Sequence, residues 1–405
     1  MKRYILALSL MLTGIFPGCG FSESALSALG HGSQRDFSGA RSVGMGYVSL
    51  TIQDTLGLNL TIPVLWNGPP LARFGLCQTL GRISALDGNG SDNSDEAVLQ
   101  GAAFAVPIGS GKFLGICVSP YTRMNYKWNI PGTNAWGEQI ERRQGRGGLT
   151  AVLAGLSFNL NPRLRLGLGA RGIIGKIERL WSVEFPNSEA ISASYTTKRR
   201  FQGIGGHLSW RFNSDNWIWG GAVNSPIGVW TADDAIVAAG GSVQETINRE
   251  TADGIDTPWD LTIGCGRLYG HHLFAVEAAW HGWGQVNKTS SLTDQFKDSY
   301  RISLGWEHQP EYRPFDPFWR ELTYRAGLFH TVNYAVGHQG YQARRLGLTG
   351  GISIPYNKNA TRLDLALELS GAGERNRDGV LEKYIGLNLD IWHSEAWFLE
   401  RRTKN

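Results

Sequence analysis

Residues 361–369 read TRLDLALEL, and Leu363, Leu365, Leu367 and Leu369 alternate with Arg362, Asp364, Ala366 and Glu368. Successive side chains of a strand point to opposite faces, so this segment has one aliphatic face and one charged face. A half-buried strand of a soluble sheet gives the same alternation. Here, however, the pattern recurs along the chain in segments of about 10 residues, which suits a tilted strand crossing a bilayer. The reading is an all-β fold, a transmembrane antiparallel β-barrel with leucines toward lipid and charges toward a polar lumen.

Similar stretches fill the chain: 71–82, 98–107, 112–128, 147–159, 164–184, 191–212, 217–223, 259–268, 273–283, 300–308, 322–332, 344–354, 361–369 and 381–392. These make about fourteen strands, an even number, as bacterial single-chain barrels have. If the first strand runs outward, one set of connections is 108–111, 160–163, 213–216, 269–272, 309–321 and 356–360. Most of these are short and rich in turn residues. The opposite set includes 83–97 (ISALDGNGSDNSDEA), 129–146, 224–258 and 284–299, mostly long and polar. Short turns at one end and long loops at the other are expected of an outer-membrane barrel and not of a soluble sandwich.

Composition agrees. Gly 53, Trp 15, Tyr 13 and Phe 16 suit close strand packing and interfacial aromatic girdles. The net charge of +4 comes without a basic block, so a nucleic-acid partner has no support. Lys2 and Arg3 precede the apolar run 4–16, the pattern of a secretory signal, with cleavage expected between Gly20 and Gly30. Cys19 raises the question of a lipid anchor, but the preceding Phe16-Pro17-Gly18 is a poor lipidation signal. Cys77, Cys117 and Cys265 fall in expected strands without CxxC spacing and read as small packing residues. The expected division is a signal peptide over 1–24, an N-terminal plug over 25–70, the barrel over 71–392 and a periplasmic tail over 393–405.

The segment before the barrel is irregular and Gly-rich: 39–50 is GARSVGMGYVSL and 54–74 is DTLGLNLTIPVLWNGPPLARF. Gly39, Gly44, Met45, Gly46, Asp54 and Asn59 occur in the order that the FadL-type long-chain fatty acid transporter family shows in its plug, and the run resembles that plug. Where the family has Asn-Pro-Ala, this chain has Ile62-Pro63-Val64. The stretches 324–328 (YRAGL), 345–355 (RLGLTGGISIP) and 362–368 (RLDLALE) are similar to the family's closing strands. Trp397-Phe398 with Arg401-Arg402 resembles its tail. The resemblance implies a plugged barrel in the bacterial outer membrane and a hydrophobic small-molecule ligand such as a long-chain fatty acid.

Two places could carry the function. The face opposite the aliphatic one bears Arg165, Arg171, Arg211, Arg301, Arg325, Arg345 and Arg362, with Asp260, Glu277, Glu307, Asp364, Glu368, Glu382 and Asp390. Charges enclosed together must pair, so most should form a network holding the plug. Arg165, Arg171, Arg301, Arg325, Arg345 and Arg362 are the candidates for any cation left to hold a carboxylate head group. The third strand, 112–128 (KFLGICVSPYTRMNYKW), contains Ser119-Pro120-Tyr121. Proline removes a ladder hydrogen bond, so Pro120 marks a kink or gap, unless it stands above the bilayer. In the resembled family the corresponding strand is interrupted and opens a lateral path into the outer leaflet. Sideways exit makes physical sense, because an acyl chain loses roughly 0.8 kcal/mol per CH₂ on entering water. Loop 224–258, with Ile227, Val229, Trp230, Ile236 and Val237, is a candidate for first capture.

No HExxH, GxSxG or P-loop pattern occurs, and His271, His272 and His281 lack metal-site spacing. The expectation is a passive channel without catalytic residues, metal or cofactor, with lipid around it. The alternative is a protein-binding scaffold or secretion shuttle of the type IX kind, which shares this architecture. A transporter should contain an apolar route to Pro120; a scaffold should have a filled lumen and an apolar patch on its loops or turns.

Overall fold

The computed structural model describes residues 24–397 apart from 53, 88–89, 135–136, 187–189, 241, 252–256, 289–295, 312–316, 338–339 and 358–359. The expected signal segment with Cys19, and the tail residues Phe398, Arg401 and Arg402, lie outside the described residues.

A two-residue strand, β1 (Ser33–Gln34), and a short helix, α1 (Ala40–Gly44), precede the wall. The wall begins with β2 (Ala72–Leu86), β3 (Ser91–Gly109), β4 (Lys112–Asn134), β5 (Gly137–Asn159), β6 (Leu164–Glu184), β7 (Ala193–Ser214) and β8 (Trp217–Asn224). After a hairpin of β9 (Trp230–Ala239) and β10 (Ser242–Thr251), it continues with β11 (Asp260–Tyr269), β12 (His272–His281) and β13 (Ser299–His308). It ends with β14 (Thr323–Val336), β15 (Gln342–Asn357), β16 (Thr361–Ala372) and β17 (Leu381–Glu395). Neighbours pair antiparallel, β8 pairs with β11, and β17 closes on β2 from Leu381↔Leu86 to Glu395↔Ala72. Leaving aside β1 and the β9–β10 hairpin, this is a closed barrel of 14 strands.

The alternation in β16 sorts as its sequence requires. Leu367 and Leu369 are each 46% exposed on the outside, whereas Asp364 and Glu368 are 0% and 1% exposed inside. The same outward face carries Leu114, Ile116, Leu156, Leu168, Leu208, Ile263, Leu304, Leu348 and Ile385. An apolar exterior around a charged interior inverts the soluble pattern, and it is the arrangement a hydrocarbon solvent demands.

The wall is uneven in height. Strands β4 and β5 have 23 residues each, while β11, β12 and β13 have 10. A crossing needs only about 9–11 residues, so β4 to β7 rise well past the bilayer. The stretches 83–97 and 129–146, expected as loops, are therefore mainly strand. β2 pairs with β3 up to Leu86↔Ser91, and β4 with β5 up to Asn134↔Gly137. Turn-type residues such as SDNSDEA, 91–97, suit strand there because no apolar face is needed outside lipid. Likewise 224–258 contains a hairpin, whose β9 pairs with the upper half of β7. Gly203 and Gly205 make room for this handover, since a Cβ on either would lie 2.6 Å from the Ile227 side chain.

Residues 24–71 run inside the wall. Val43, Leu56, Leu58, Leu60 and Trp66 pack with Cys77, Cys117, Leu153 and Trp392 of the strands. Met45, Val48 and Ile52 pack with Ile218, Leu273 and Ala275. Cys77 and Cys117 are free buried thiols in that packing.

Candidate functional site

The enclosed charges form a chain of ion pairs between the inner segment and the wall. Arg41 on α1 reaches Glu307 of β13 at 2.6 Å and Asp54 at 2.9 Å. Glu307 also accepts from Arg325 at 2.7 Å, and Arg362 links Asp54 at 2.5 Å to Asp364 at 2.8 Å. Burial alone would raise the Asp54 carboxyl, but the guanidinium groups of Arg362 and Arg41 hold it well below the usual carboxylate range. Further along, Arg301 joins Asp36 and Glu277 at 2.9 Å each, and Glu277 accepts the backbone N–H groups of Ser49 and Leu50. Arg171 pairs with Asp260 at 2.7 Å, and Arg345 pairs with Glu368.

Five of the six arginines named from sequence, Arg171, Arg301, Arg325, Arg345 and Arg362, thus have carboxylate partners. Arg165 has no ion pair among the described residues. Arg211 instead donates to the carbonyls of Ile52 and Thr51.

The Gly-rich residues explain how the inner segment fits so closely. Gly46 has φ +67°, and a Cβ there would sit 2.7 Å from the Leu328 carbonyl. The wall answers with Gly327, where a Cβ would meet Gly46 N at 2.0 Å, and Gly305, which faces Met45. Gly44 lies against Gly351 in the same way. Asn59 Oδ1 accepts from the N–H groups of Thr61 and Ile62 at 2.8 Å each, an Asx turn that leads into a 3-10 turn at Pro63–Trp66. Pro63 rests on Gly155.

Pro120 stands where the wall changes. The β3–β4 ladder ends at Ala102↔Val118, and above it β3 remains paired with β2 while β4 remains paired with β5. The β4–β5 register shifts between Pro120 and Thr122, leaving Tyr121 as a bulge. Ser119 and Tyr121 are buried, and the Arg171 guanidinium lies 4.6 Å over the Tyr121 ring. The edge of β4 that β3 abandons is taken by the N-terminal segment: β1 pairs Ser33↔Arg123 and Gln34↔Thr122. Arg35 N–H donates to the Tyr121 carbonyl at 2.9 Å, and Ser24 N–H to that of Asn125 at 2.8 Å. Gly32, at φ +96°, passes so near that a Cβ would lie 2.3 Å from the Arg123 carbonyl. Farther out, Arg123 reaches back to Glu96 of β3 at 3.2 Å.

Two cavities meet at this strap. One of about 150 Å³ lies toward the long connections, lined by Phe37, Tyr47, Ile83, Val332 and Tyr384 among others. The other, about 80 Å³, reaches Leu60, Ile62, Ser119, Pro120 and Tyr121. Arg35, Asp36, His281 and Arg301 border both. Arg35 has no carboxylate partner among the described residues, and its Nε is buried without a hydrogen bond. Arg35 has no sequence signature, because it lies in a stretch without periodicity. His281 binds Asp260 at 2.7 Å, a pairing within the network. In the loop expected to capture ligand, Ile227 and Val229 are buried against Phe201, and Trp230 is 71% exposed.

Solved structures share this fold at low identity. The Pseudomonas putida toluene transporter TodX has TM-score 0.63 at 13% identity, covering 90% of this chain and 99% of that one. The Ralstonia pickettii toluene transporter TbuX has TM-score 0.58 at 14% identity, covering 88% and 98%. A Pseudomonas aeruginosa FadL homologue has TM-score 0.60 at 11% identity, covering 89% and 99%. No curated protein matches the chain by sequence. The likeness to FadL-type proteins is thus one of fold, whereas the sequence model of the BamG family matches residues 1–216 and 229–404. The chain belongs to the BamG family.

Proposed function

We propose that the protein is an outer-membrane channel for passive uptake of small hydrophobic molecules, with lateral release between β3 and β4. The observation that carries this reading is the end of the β3–β4 ladder at Val118, beside Pro120, with a cavity reaching the break from inside. Cavity size selects the ligand class. About 150 Å³ accommodates a benzene-sized molecule, and it falls below the roughly 300–1,000 Å³ of larger ligand sites. A long acyl chain would need more room than either cavity offers, so small hydrocarbons are the ligand class proposed here. Arg35 is the cation that a carboxylate on such a ligand would meet. The N-terminal segment acts as plug and gate, since residues 24–35 cover the opening and must shift for release.

The test is uptake of labelled toluene and labelled palmitate in cells with and without the gene. Toluene uptake is expected to fall on deletion while palmitate uptake does not. Pro120→Ala should lower toluene uptake severalfold while the folded barrel still reaches the outer membrane. Equal toluene uptake with and without the gene rejects the channel.

A second reading, the protein-binding scaffold, is favoured by the filled lumen and by the tall β4–β7 wall with β9 and β10, which exposes Ile130, Trp181, Tyr195 and Trp230. Loss of an outer-membrane partner on deletion, with uptake unchanged, would select it.

A further inference from the structure

The outer surface of the wall carries a groove unconnected with the lumen. It lies across β8 and β11–β14 near the short turns, has a volume of about 590 Å³, and is almost wholly apolar. Strand register explains its layers. Bordering the groove on the side of the turns, outside its own lining, Tyr269, His272, His308 and Tyr324 form one outward row. The next row is Trp217, Arg267, Phe274, Trp306 and Ala326, and the one beyond is Trp219, Cys265, Val276, Leu304 and Leu328. Ala326 follows four bulky neighbours in its row, so the surface dips there and continues over Leu304 and Leu328.

The cationic end of the groove lacks a partner. Arg267 faces outward in the stripe Leu261, Ile263, Cys265, Arg267, Tyr269. Its guanidinium lies 5.2 Å over the Trp217 ring, and it has no carboxylate partner among the described residues. The His272 and His308 rings sit 4.8 Å apart, Trp306 Nε1 donates to His272 Nδ1 at 3.3 Å, and His308 Nδ1 is buried without a partner. Unpaired donors ending an apolar groove on a hydrocarbon-facing wall are complementary to a lipid with an anionic head.

We infer that this groove holds a phospholipid of the leaflet nearer the short turns. The phosphodiester sits against Arg267 and the His272–His308 pair, and one acyl chain lies over Val276, Leu304 and Leu328. This site is distinct from the lumenal ligand path and does not depend on transport.

The test is mass-spectrometric counting of phospholipid retained by detergent-purified protein after exhaustive washing. The wild type should keep close to one phospholipid per chain. Arg267→Gln, which removes charge-assisted bonds to phosphate, should lower retention roughly tenfold. Ala326→Phe, which fills the dip without touching a charge, should lower it similarly. Both variants face outward, and the usual gel shift on heating verifies that they remain folded barrels. Equal retention in all three proteins, no retained lipid in the wild type, or a polypeptide in its place overturns the inference.

Discussion

Replacing Glu307 with alanine should destabilise the folded barrel by about 3–5 kcal/mol. Glu307 is 0% exposed and accepts from both Arg41 and Arg325, so its removal leaves Arg41, Arg325 and Arg362 with only Asp54 and Asp364 and one buried positive charge uncompensated. The cost comes from uncompensated charge more than from lost attraction. Replacing Glu307 and Arg325 together with apolar residues of similar volume leaves Arg41 and Arg362 balanced by Asp54 and Asp364, and should therefore cost far less than E307A alone. Denaturant unfolding in detergent, followed by the heat-shifted gel band, measures both. A loss under about 1 kcal/mol for E307A, the range of an exposed pair, would mean that water reaches these charges.

The second large effect is expected from Gly32→Val. At φ +96°, with a would-be Cβ 2.3 Å from the Arg123 carbonyl, valine cannot be seated beside β4. The strain of such a backbone alone is of order 1–3 kcal/mol for a side-chain-bearing residue, and the clash adds to it. Residues 24–35 should detach from the edge at Tyr121–Asn125, leaving the wall open above Val118. In liposomes the expected result is toluene permeation faster by about tenfold or more, the factor that unseating a strap held by 1.4 kcal/mol or more would give. Protease should also cut the N-terminal segment readily. Unchanged permeation with a released segment would show that the break is not a passage.

The barrel was legible because lipid forces a two-residue period on every crossing strand. Residues 164–184 were bounded from sequence just as they fold in β6, and TRLDLALEL places its leucines outside and its acids inside. Above the bilayer that constraint lapses. The β9–β10 hairpin, with Asp234, Glu245 and Thr246, has polar residues on both faces and gave no strand signal. The tops of β3 and β5 were hidden by turn-type residues for the same reason.

Site residues were legible by type and not by pairing. Sequence assigned charges of both signs to the lumen, but pairing Arg41 with Glu307, 266 positions apart, needs the closed wall. Arg35 stands out only once the other arginines have found their acids. Pro120 signalled a disturbance in β4, whereas the strap that covers it at Ser33 and Gln34 had no sequence signature.

The most direct measurement is a nitroxide scan of residues 363–369 in reconstituted bilayers, with relaxation by oxygen and by a water-soluble nickel chelate. Oxygen should dominate at 363, 365, 367 and 369 and recede at 364, 366 and 368, a two-residue period in phase with the leucines. Protection of the leucine positions from both reagents, as in a sealed core between two sheets, would contradict the barrel's membrane-facing exterior.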